Sequence, residues 1–212
     1  MEIYELKPLS ICDTNSYIVA TDAGNAVLID APADADYILR EITDRGLTLK
    51  KILLTHGHFD HIGAVADLYD KTGCEVYIHN DDLAKLADDT GMLSDYFRVK
   101  GLRKFEKALP VFDGDVIKQD ELEFDVVHTP GHTSGSVCYI VGNVLFSGDT
   151  LFARSIGRTD MPDGDMTAMM ASLRIIDGLG GDMRVLPGHM NETTLDNERR
   201  YNYYIIQSRD DK

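Results

Sequence analysis

The stretch Thr55-His56-Gly57-His58-Phe59-Asp60-His61 places four candidate metal donors within six residues. It follows the apolar run Lys51-Ile52-Leu53-Leu54, which predicts a buried strand whose end opens into a loop. On an extended chain His56 and His58 point the same way. Asp60 and His61 fall where the chain turns into an amphipathic segment, so their side chains leave in a rotated direction. The spacing therefore predicts two neighbouring ions, one served by residues 56 and 58 and the other by residues 60 and 61.

The segments around this stretch alternate between strand and helix patterns. Residues 16–30 predict a hairpin, residues 34–45 and 62–72 predict helices that end at glycines, and residues 75–79 predict another strand. In the second half, strands are predicted at 125–128, 137–141, 144–147 and 184–186, and helices at 165–177 and from about residue 194. Such alternation is typical of an α/β layered fold. A chain of 212 residues suits one domain, which we expect over residues 1–212.

Residues 80–107 interrupt the alternation, because they are more charged and lack a strand pattern. They predict a helical insertion or cap in two pieces, broken at Thr90-Gly91. Its aromatic pair Tyr96-Phe97 either reaches over a pocket or packs against the body of the protein, and the sequence favours packing.

Composition limits the kinds of partner. The formal net charge of -15 repels polyanions, so we expect no nucleic acid partner. No apolar run approaches the roughly 20 residues that cross a bilayer, and the acidic N-terminus lacks the pattern of a secretory signal. The three cysteines show no Cys-x-x-Cys pairing and predict free thiols. We therefore expect a cytoplasmic monomer or small homo-oligomer that acts on a small molecule.

Three further donors stand directly after a glycine, each where a predicted strand ends. They are His132 in Thr-Pro-Gly-His-Thr, Asp149 in Ser-Gly-Asp-Thr and His189 in Pro-Gly-His. Glycine at such junctions lets the main chain approach a crowded site. The clustering of donors at strand ends predicts that they join the first motif in one metal centre.

Other polar residues at strand ends have competing explanations. His79 and His128 lack the preceding glycine and are predicted to be structural, although His128 remains a candidate for supporting a ligand. Asp30 closes the predicted hairpin. It either accepts a hydrogen bond from a ligand histidine or caps the following helix, and the sequence leaves both open.

The combined motif resembles the metallo-β-lactamase-fold superfamily and, within it, the glyoxalase II-like (hydroxyacylglutathione hydrolase-like) hydrolases. The resemblance implies a four-layer αβ/βα sandwich of two mixed β-sheets with helices on the outer faces. It also implies a binuclear site with His56, His58 and His132 on one metal, Asp60, His61 and His189 on the other, and Asp149 between them. Zinc is the first expectation, with iron or manganese as alternatives.

The resemblance implies hydrolysis by a hydroxide held between the two ions, with Asp60 and Asp149 as the catalytic carboxylates. The chain has no Gly-x-Ser-x-Gly elbow, so no side-chain nucleophile is expected. A thioester of the S-acylglutathione type is the expected substrate, because a thiolate leaves with little help from an acid. Only residues 190–212 follow His189, which indicates a compact form without the C-terminal helical domain of larger relatives.

Substrate contacts are predicted from the segment after Asp149. Phe152-Ala153-Arg154-Ser155-Ile156-Gly157-Arg158-Thr159-Asp160 resembles the Gly-Arg-Thr-Asp loop of compact glyoxalase II-like proteins. Phe152, Arg154, Arg158 and Tyr96 are the candidate substrate-binding residues. Arg158 alternatively pairs with Asp160 or Asp163, and the sequence does not decide between the two roles.

Other functions stay open at this point. The same loop occurs in persulfide dioxygenases of this fold, which use one iron and oxygen, although Ser136 in place of a cysteine favours a hydrolase. An ester or lactone hydrolase and a non-catalytic metal-binding module are further alternatives. A lactamase is disfavoured because His61 is retained.

Overall fold

A computed structural model of the chain describes residues 1–6, 12–88 and 93–210. The expected insertion break at Thr90-Gly91 lies outside these residues. Among the described residues, no helix is both long and apolar enough to cross a membrane.

Two six-stranded mixed sheets form the centre of the fold. The first contains β1 (Glu2–Leu6), β2 (Ser16–Ala20), β3 (Asn25–Ile29), β4 (Thr48–Leu53), β5 (Glu75–His79) and β6 (Leu109–Val111) in that order. Strands β1 to β3 are antiparallel, whereas β3 to β6 are parallel to one another. The predicted hairpin at residues 16–30 is thus confirmed.

The second sheet contains β7 (Val116–Gln119), β8 (Leu122–His128), β9 (Val137–Val141), β10 (Val144–Gly148), β11 (Arg184–Pro187) and β12 (Thr193–Thr194). Strands β7 to β10 form an antiparallel meander, and β11 joins β10 in parallel. The parallel pair β10–β11 brings Gly148 opposite Pro187, so the residues that follow both strands emerge at one edge. This register sets Asp149 beside His189.

The helices cover the outer faces. They are α1 (Ala35–Thr43), α2 (Phe59–Ile62), α3 (Val65–Thr72), a 3-10 helix (Asn80–Ala87), α4 (Ser94–Phe97), α5 (Met166–Asp177), α6 (Leu195–Tyr201) and α7 (Tyr203–Ser208). Alternate strand residues face opposite ways, so on β2 Ile18 packs towards the helix layer while Tyr17 and Val19 pack between the sheets. The described core therefore has three apolar layers, and the predicted αβ/βα sandwich is confirmed.

Three predicted elements differ from the structure. The helix predicted at 62–72 is two helices, and α2 already begins at Phe59, so Asp60 and His61 lie on a helical turn. The single final helix is also wrong, because Asn202 ends α6 and its side chain caps α7 at the Tyr204 N-H. Residues 80–107 contain two short helical pieces, but residues 99–107 have no regular structure.

Candidate metal centre

The loop between β4 and α2 presents the four donors of the organising motif. His58 is extended and stands at the N-terminus of α2, whereas Asp60 and His61 lie within its first turn. The change from extended to helical backbone rotates the later side chains away from the earlier ones. All four side chains are buried. The local geometry thus separates the motif into two pairs, as the spacing predicts.

The first donor cluster consists of three histidines. His56, His58 and His132 each have a ring nitrogen within 4.8 Å of the others. His58 Nδ1 lies 2.9 Å from His132 Nε2. His132 reaches the cluster from the loop after β8, next to Gly131. Three imidazoles converging in this way offer a site that could hold one metal ion.

The second cluster combines carboxylate and imidazole donors. Asp60, His61 and His189 offer ligand atoms within 4.8 Å of one another, and His189 Nε2 lies 3.4 Å from Asp60 Oδ2. Asp149 joins the two clusters, because its Oδ2 lies 3.5 Å from His132 Nε2 and 3.4 Å from His189 Nε2. The structure therefore brings together all seven predicted donors, with Asp149 between the two groups.

Three buried polar atoms at this centre have no hydrogen-bond partner among the described residues. They are His56 Nε2, His58 Nε2 and Asp149 Oδ1. Buried polar atoms are normally paired, because leaving one unpaired is unfavourable. A divalent cation would accept the lone pairs of His56 and Asp149. The donor set therefore fits the metal ions that the sequence predicts.

The electrostatics of the first cluster favour neutral ligands. Burial, together with the neighbouring imidazoles, lowers the pKa of His56 well below its usual value. Burial and His132 lower the pKa of His58 to about 3, although Asp60 and Asp149 oppose the shift. A neutral imidazole is the form that binds a metal. These side chains need no deprotonation near neutral pH before they can bind an ion.

In the second cluster the nearby carboxylates raise the pKa values of the imidazoles instead of lowering them. Burial disfavours a charged His61, but the carboxylates of Asp30, Asp149 and Asp60 outweigh it and raise the pKa of His61 to about 8. The pKa of His189 rises to about 11, because Asp149 and Asp60 outweigh burial there. Conversely, His61 and His189 outweigh burial at Asp60 and lower its pKa to about 2. Without metal, these imidazoles hold protons that compensate the carboxylates.

Asp30 fixes the orientation of His61. Its Oδ2 accepts a hydrogen bond from His61 Nδ1 at 2.8 Å, and the same carboxylate accepts from the backbone N-H and hydroxyl of Thr55. Helix α1 is capped by Asp34, not by Asp30. With Nδ1 donating to Asp30, Nε2 of His61 is left facing Asp149 at 3.4 Å.

Asp82 is a supporting residue that the sequence analysis missed. Its buried carboxylate accepts hydrogen bonds from the backbone N-H groups of Gly57 and Gly135, both at 2.8 Å, and from the Thr133 hydroxyl. It therefore ties the loop of His56 and His58 to the loop of His132. The one feature of the sequence that could have indicated Asp82 is its position three residues after the end of β5, in the segment predicted to be an insertion or cap.

The C-terminal helices support the loop after Asp149. The buried Glu198 accepts from the backbone N-H of Arg154 at 2.7 Å and from Asn202 Nδ2 at 2.9 Å. Asn202 Nδ2 also donates to the carbonyl of Ser155 at 3.0 Å. These contacts hold the turn between Phe152 and Ser155, whose residues bridge through their backbones.

A cavity of about 420 Å³ opens above the donors. Phe152 and Arg158 line it, as predicted, and the Arg158 guanidinium pairs with Asp160 in two hydrogen bonds of 2.9 and 3.0 Å. The carbonyl of Arg158 accepts from His132 Nδ1 at 2.8 Å. The side chain of Arg158 thus pairs with an acid, while its backbone supports a donor.

Two predicted substrate contacts do not line this cavity. The guanidinium of Arg154 lies over the ring of Tyr201, 5.5 Å from its centre. Tyr96 is 61% exposed and its ring contacts Phe97 edge-on. It therefore neither reaches over the cavity nor is buried against the body of the protein, which were its two predicted roles. Phe97 does line the cavity and packs near Phe59, with ring centres 5.3 Å apart. The sequence favoured packing for both aromatics, but α4 is one turn long and buries neither fully.

His79 and His128 lie away from the metal centre. Their rings stack with centres 3.9 Å apart, and His128 Nε2 contacts the carbonyl of Ser134 at 2.8 Å. Asp81 lies near them, and the three residues offer ligand atoms within 4.8 Å of one another. However, His79 Nδ1 already accepts a hydrogen bond from the backbone N-H of Asp81 at 3.3 Å, and His128 Nε2 is engaged by Ser134. This arrangement agrees with the structural role that the sequence predicts.

Comparison with known proteins gives a family match over most of the chain. Residues 9–189 match the metallo-beta-lactamase superfamily. The hydroxyacylglutathione hydrolase GloC of Haemophilus influenzae is 33% identical over 208 residues, covering 95% of this chain and 97% of that protein. The match therefore extends over the whole length of a compact relative.

Solved structures of the same fold carry different names. BLEG-1, a B3 metallo-beta-lactamase, has a TM-score of 0.86 and 35% identity, with 96% of this chain and 99% of that chain covered. TTHA1623 in a di-iron-bound form has a TM-score of 0.84 and 36% identity, with 95% and 99% covered. ETHE1 from Myxococcus xanthus has a TM-score of 0.78 and 30% identity, with 96% and 84% covered. The overall fold therefore does not by itself select one reaction.

Proposed function

Because the chain belongs to the metallo-beta-lactamase superfamily, whose members are generally hydrolytic metalloenzymes acting on small molecules, we propose that it is a binuclear hydrolase that cleaves thioesters of the S-acylglutathione type. The observation that carries this proposal is the pair of donor clusters that share Asp149 beneath an open cavity. The name of the Haemophilus influenzae relative supports the choice of substrate.

In this proposal His56, His58 and His132 hold one ion, and Asp60, His61 and His189 hold the other, with Asp149 shared. Zinc is the first candidate, and the di-iron-bound relative keeps iron as an alternative. When bound, two divalent ions activate water near neutral pH and polarise a carbonyl group.

The protein's own residues orient these donors and shape the space above them. Asp30 holds His61 with Nε2 facing inward, and the carbonyl of Arg158 does the same for His132. The hydroxyl of Thr14 donates to Asp60 Oδ2 at 3.0 Å, which holds that carboxylate in place. A thioester suits this site because its thiolate leaves without a strong acid, and no nucleophilic side chain is required.

Two observations define the alternatives. The Gly-Arg-Thr-Asp loop at residues 157–160, which also occurs in persulfide dioxygenases of this fold, keeps a mononuclear iron dioxygenase as the second candidate. Similarity to BLEG-1 makes β-lactams a necessary part of any substrate panel. We favour hydrolysis because the second cluster offers a complete set of donors, which a reaction at one ion does not require.

The test combines metal analysis with turnover. Protein purified without added metal is analysed for zinc, iron and manganese. It is then assayed with S-lactoylglutathione, a β-lactam and glutathione persulfide with oxygen monitoring. We expect two ions per chain and thioester hydrolysis that falls at least about a hundredfold in His58→Ala and Asp149→Asn.

Asp125→Asn is the matched control, because Asp125 is exposed on β8 and the substitution makes the same charge change. It should leave turnover and metal content unchanged. One iron per chain with oxygen consumption on the persulfide would replace our proposal with the dioxygenase. Bound metal without turnover of any substrate would favour a non-catalytic module.

A further inference from the structure

The walls of the cavity are apolar, in contrast to its floor. Phe59, Leu93 and Phe97 come from the segments around α2 and α4, and Phe152, Ile156 and Met161 come from the loop after Asp149. The volume of about 420 Å³ lies within the range of roughly 300–1,000 Å³ that is typical of small-molecule sites. The polar groups of the floor are the donors already assigned to the ions. Apart from Cys12, Ser155 and Arg158, the walls therefore offer a substrate mainly carbon.

Positive charge is scarce in the same walls. Apart from the imidazoles, Arg158 is the only cationic side chain among the described residues that line the cavity. Its guanidinium already forms two hydrogen bonds to Asp160 and is largely exposed. Glutathione carries carboxylates that need cationic partners, and this wall offers them little.

We propose that the apolar walls select the acyl group of the substrate, so that the preferred thioester carries an aliphatic or aromatic acyl group instead of a hydroxyacyl group. This inference rests on the proposed function. It assigns Phe97 and its neighbours as the residues that determine acyl specificity, and it leaves the charged ends of glutathione at the rim or in solvent.

The physical basis is the transfer of carbon from water to an apolar wall. Each buried methylene contributes about 0.8 kcal/mol, which corresponds to roughly a fourfold change in kcat/KM. A hydroxyl on the acyl group loses water on entering, and it regains a hydrogen bond only where the wall provides one. Ser155 is the one hydroxyl side chain among the described residues lining the cavity. It is therefore the side chain that could offer a hydrogen bond to a hydroxyacyl group, and the test includes a variant of it.

The test uses a series of S-acylglutathiones with acetyl, butyryl, hexanoyl and lactoyl groups and the metal-loaded enzyme. We expect kcat/KM to rise about fifteenfold from acetyl to butyryl and further to hexanoyl, with lactoyl below butyryl. Binding is measured separately by calorimetry with ketone analogues in which a methylene replaces the sulfur. Their affinities should follow the same order.

Neighbouring aromatics provide matched variants. Phe97→Ala should lower kcat/KM for the hexanoyl thioester about tenfold while changing the acetyl thioester by less than about twofold. Tyr96→Ala should change neither, because Tyr96 is adjacent and exposed but does not line the cavity. Ser155→Ala should leave the order of preference among the four thioesters unchanged, because the apolar walls and not this hydroxyl set that order.

The outcomes separate the two proposals. If thioesters are cleaved without dependence on chain length, or if lactoyl is preferred and Ser155→Ala removes the preference, acyl selection by the walls is wrong and the hydrolase stands. If no thioester is cleaved but the ketones bind in order of chain length, the thioesterase is wrong and the apolar preference of the cavity stands.

Discussion

The carboxylate of Asp82 accepts the backbone N-H of Gly57 at 2.8 Å, between the two histidines of the first donor pair. The same side chain contacts the Thr133 hydroxyl beside His132. A single buried acid thus fixes the distance between two loops that are far apart in sequence. The first donor cluster depends on this acid more than the second does.

Replacing Asp82 should therefore weaken one ion selectively. Asp82→Asn removes an acceptor from a carboxylate that receives several hydrogen bonds, and we expect metal affinity at the first cluster to fall about 10–100-fold. Metal content should drop from two ions towards one, as measured by competition with a chelator. The neighbouring Asp81→Asn is the control, because Asp81 is exposed. If Asp82→Asn lost both ions equally, or lost no ion, Asp82 would not support the first donor cluster selectively.

Asp30 should have the complementary effect on the second cluster. In Asp30→Asn the His61 ring loses a charged acceptor, so its Nε2 is no longer held inward, and turnover should fall about 10–100-fold. The second ion should be lost first. Asp34→Ala is the control: loss of this helix cap should lower the free energy of unfolding by about 1 kcal/mol while metal affinity stays constant.

Metal affinity should increase with pH. With a pKa of about 8 for His61 and about 11 for His189, both rings are protonated at neutral pH in the absence of metal. A cation must displace those protons, so its apparent affinity should rise up to about tenfold per pH unit for each displaced proton between pH 6 and pH 8. Competition titrations at three pH values measure the slope. In His189→Gln one displaced proton fewer should contribute to that slope. A metal affinity that does not change with pH would contradict the protonation of His61 and His189 in the metal-free protein.

The close approach at Gly188 allows a steric test. A Cβ at this position would lie 2.4 Å from Asp149 Oδ1 and 2.7 Å from His61 Cε1. Gly188→Ala should therefore displace the shared carboxylate and reduce both metal content and turnover at least about tenfold. Gly180→Ala is the matched control, because nothing lies within 4 Å of its added Cβ. Normal metal content in Gly188→Ala would show that Asp149 tolerates the shift.

Glu198 should affect substrate binding without affecting the ions. Glu198→Gln weakens the hydrogen bonds to Arg154 and Asn202 that hold the Phe152 turn. We expect KM to rise several-fold and the free energy of unfolding to fall by about 1–3 kcal/mol, with two ions retained. Glu192→Gln, at an exposed pair with Arg184, should change neither quantity. Loss of metal in Glu198→Gln would mean that the turn supports the centre itself.

The sequence by itself determined the parts of this protein that depend on local pattern. Apolar runs place β4, β10 and β11. The glycines before Asp149 and His189 lie at the ends of β10 and β11, and the glycine before His132 lies in the loop that follows β8. The spacing within residues 55–61 already separates two donor pairs, because extended and helical backbones aim side chains differently.

Only the tertiary structure decided which distant residues support those donors. Asp82, Glu198 and the carbonyl of Arg158 act through contacts that span many residues of sequence, and no periodicity marks them. The tertiary structure also decided which predicted substrate contacts lie outside the cavity. Arg154 and Tyr96 are close in sequence to residues that line it, yet they do not line it themselves. Local sequence fixes the direction in which a side chain leaves the backbone, whereas the packing of two sheets and their helices fixes what it meets.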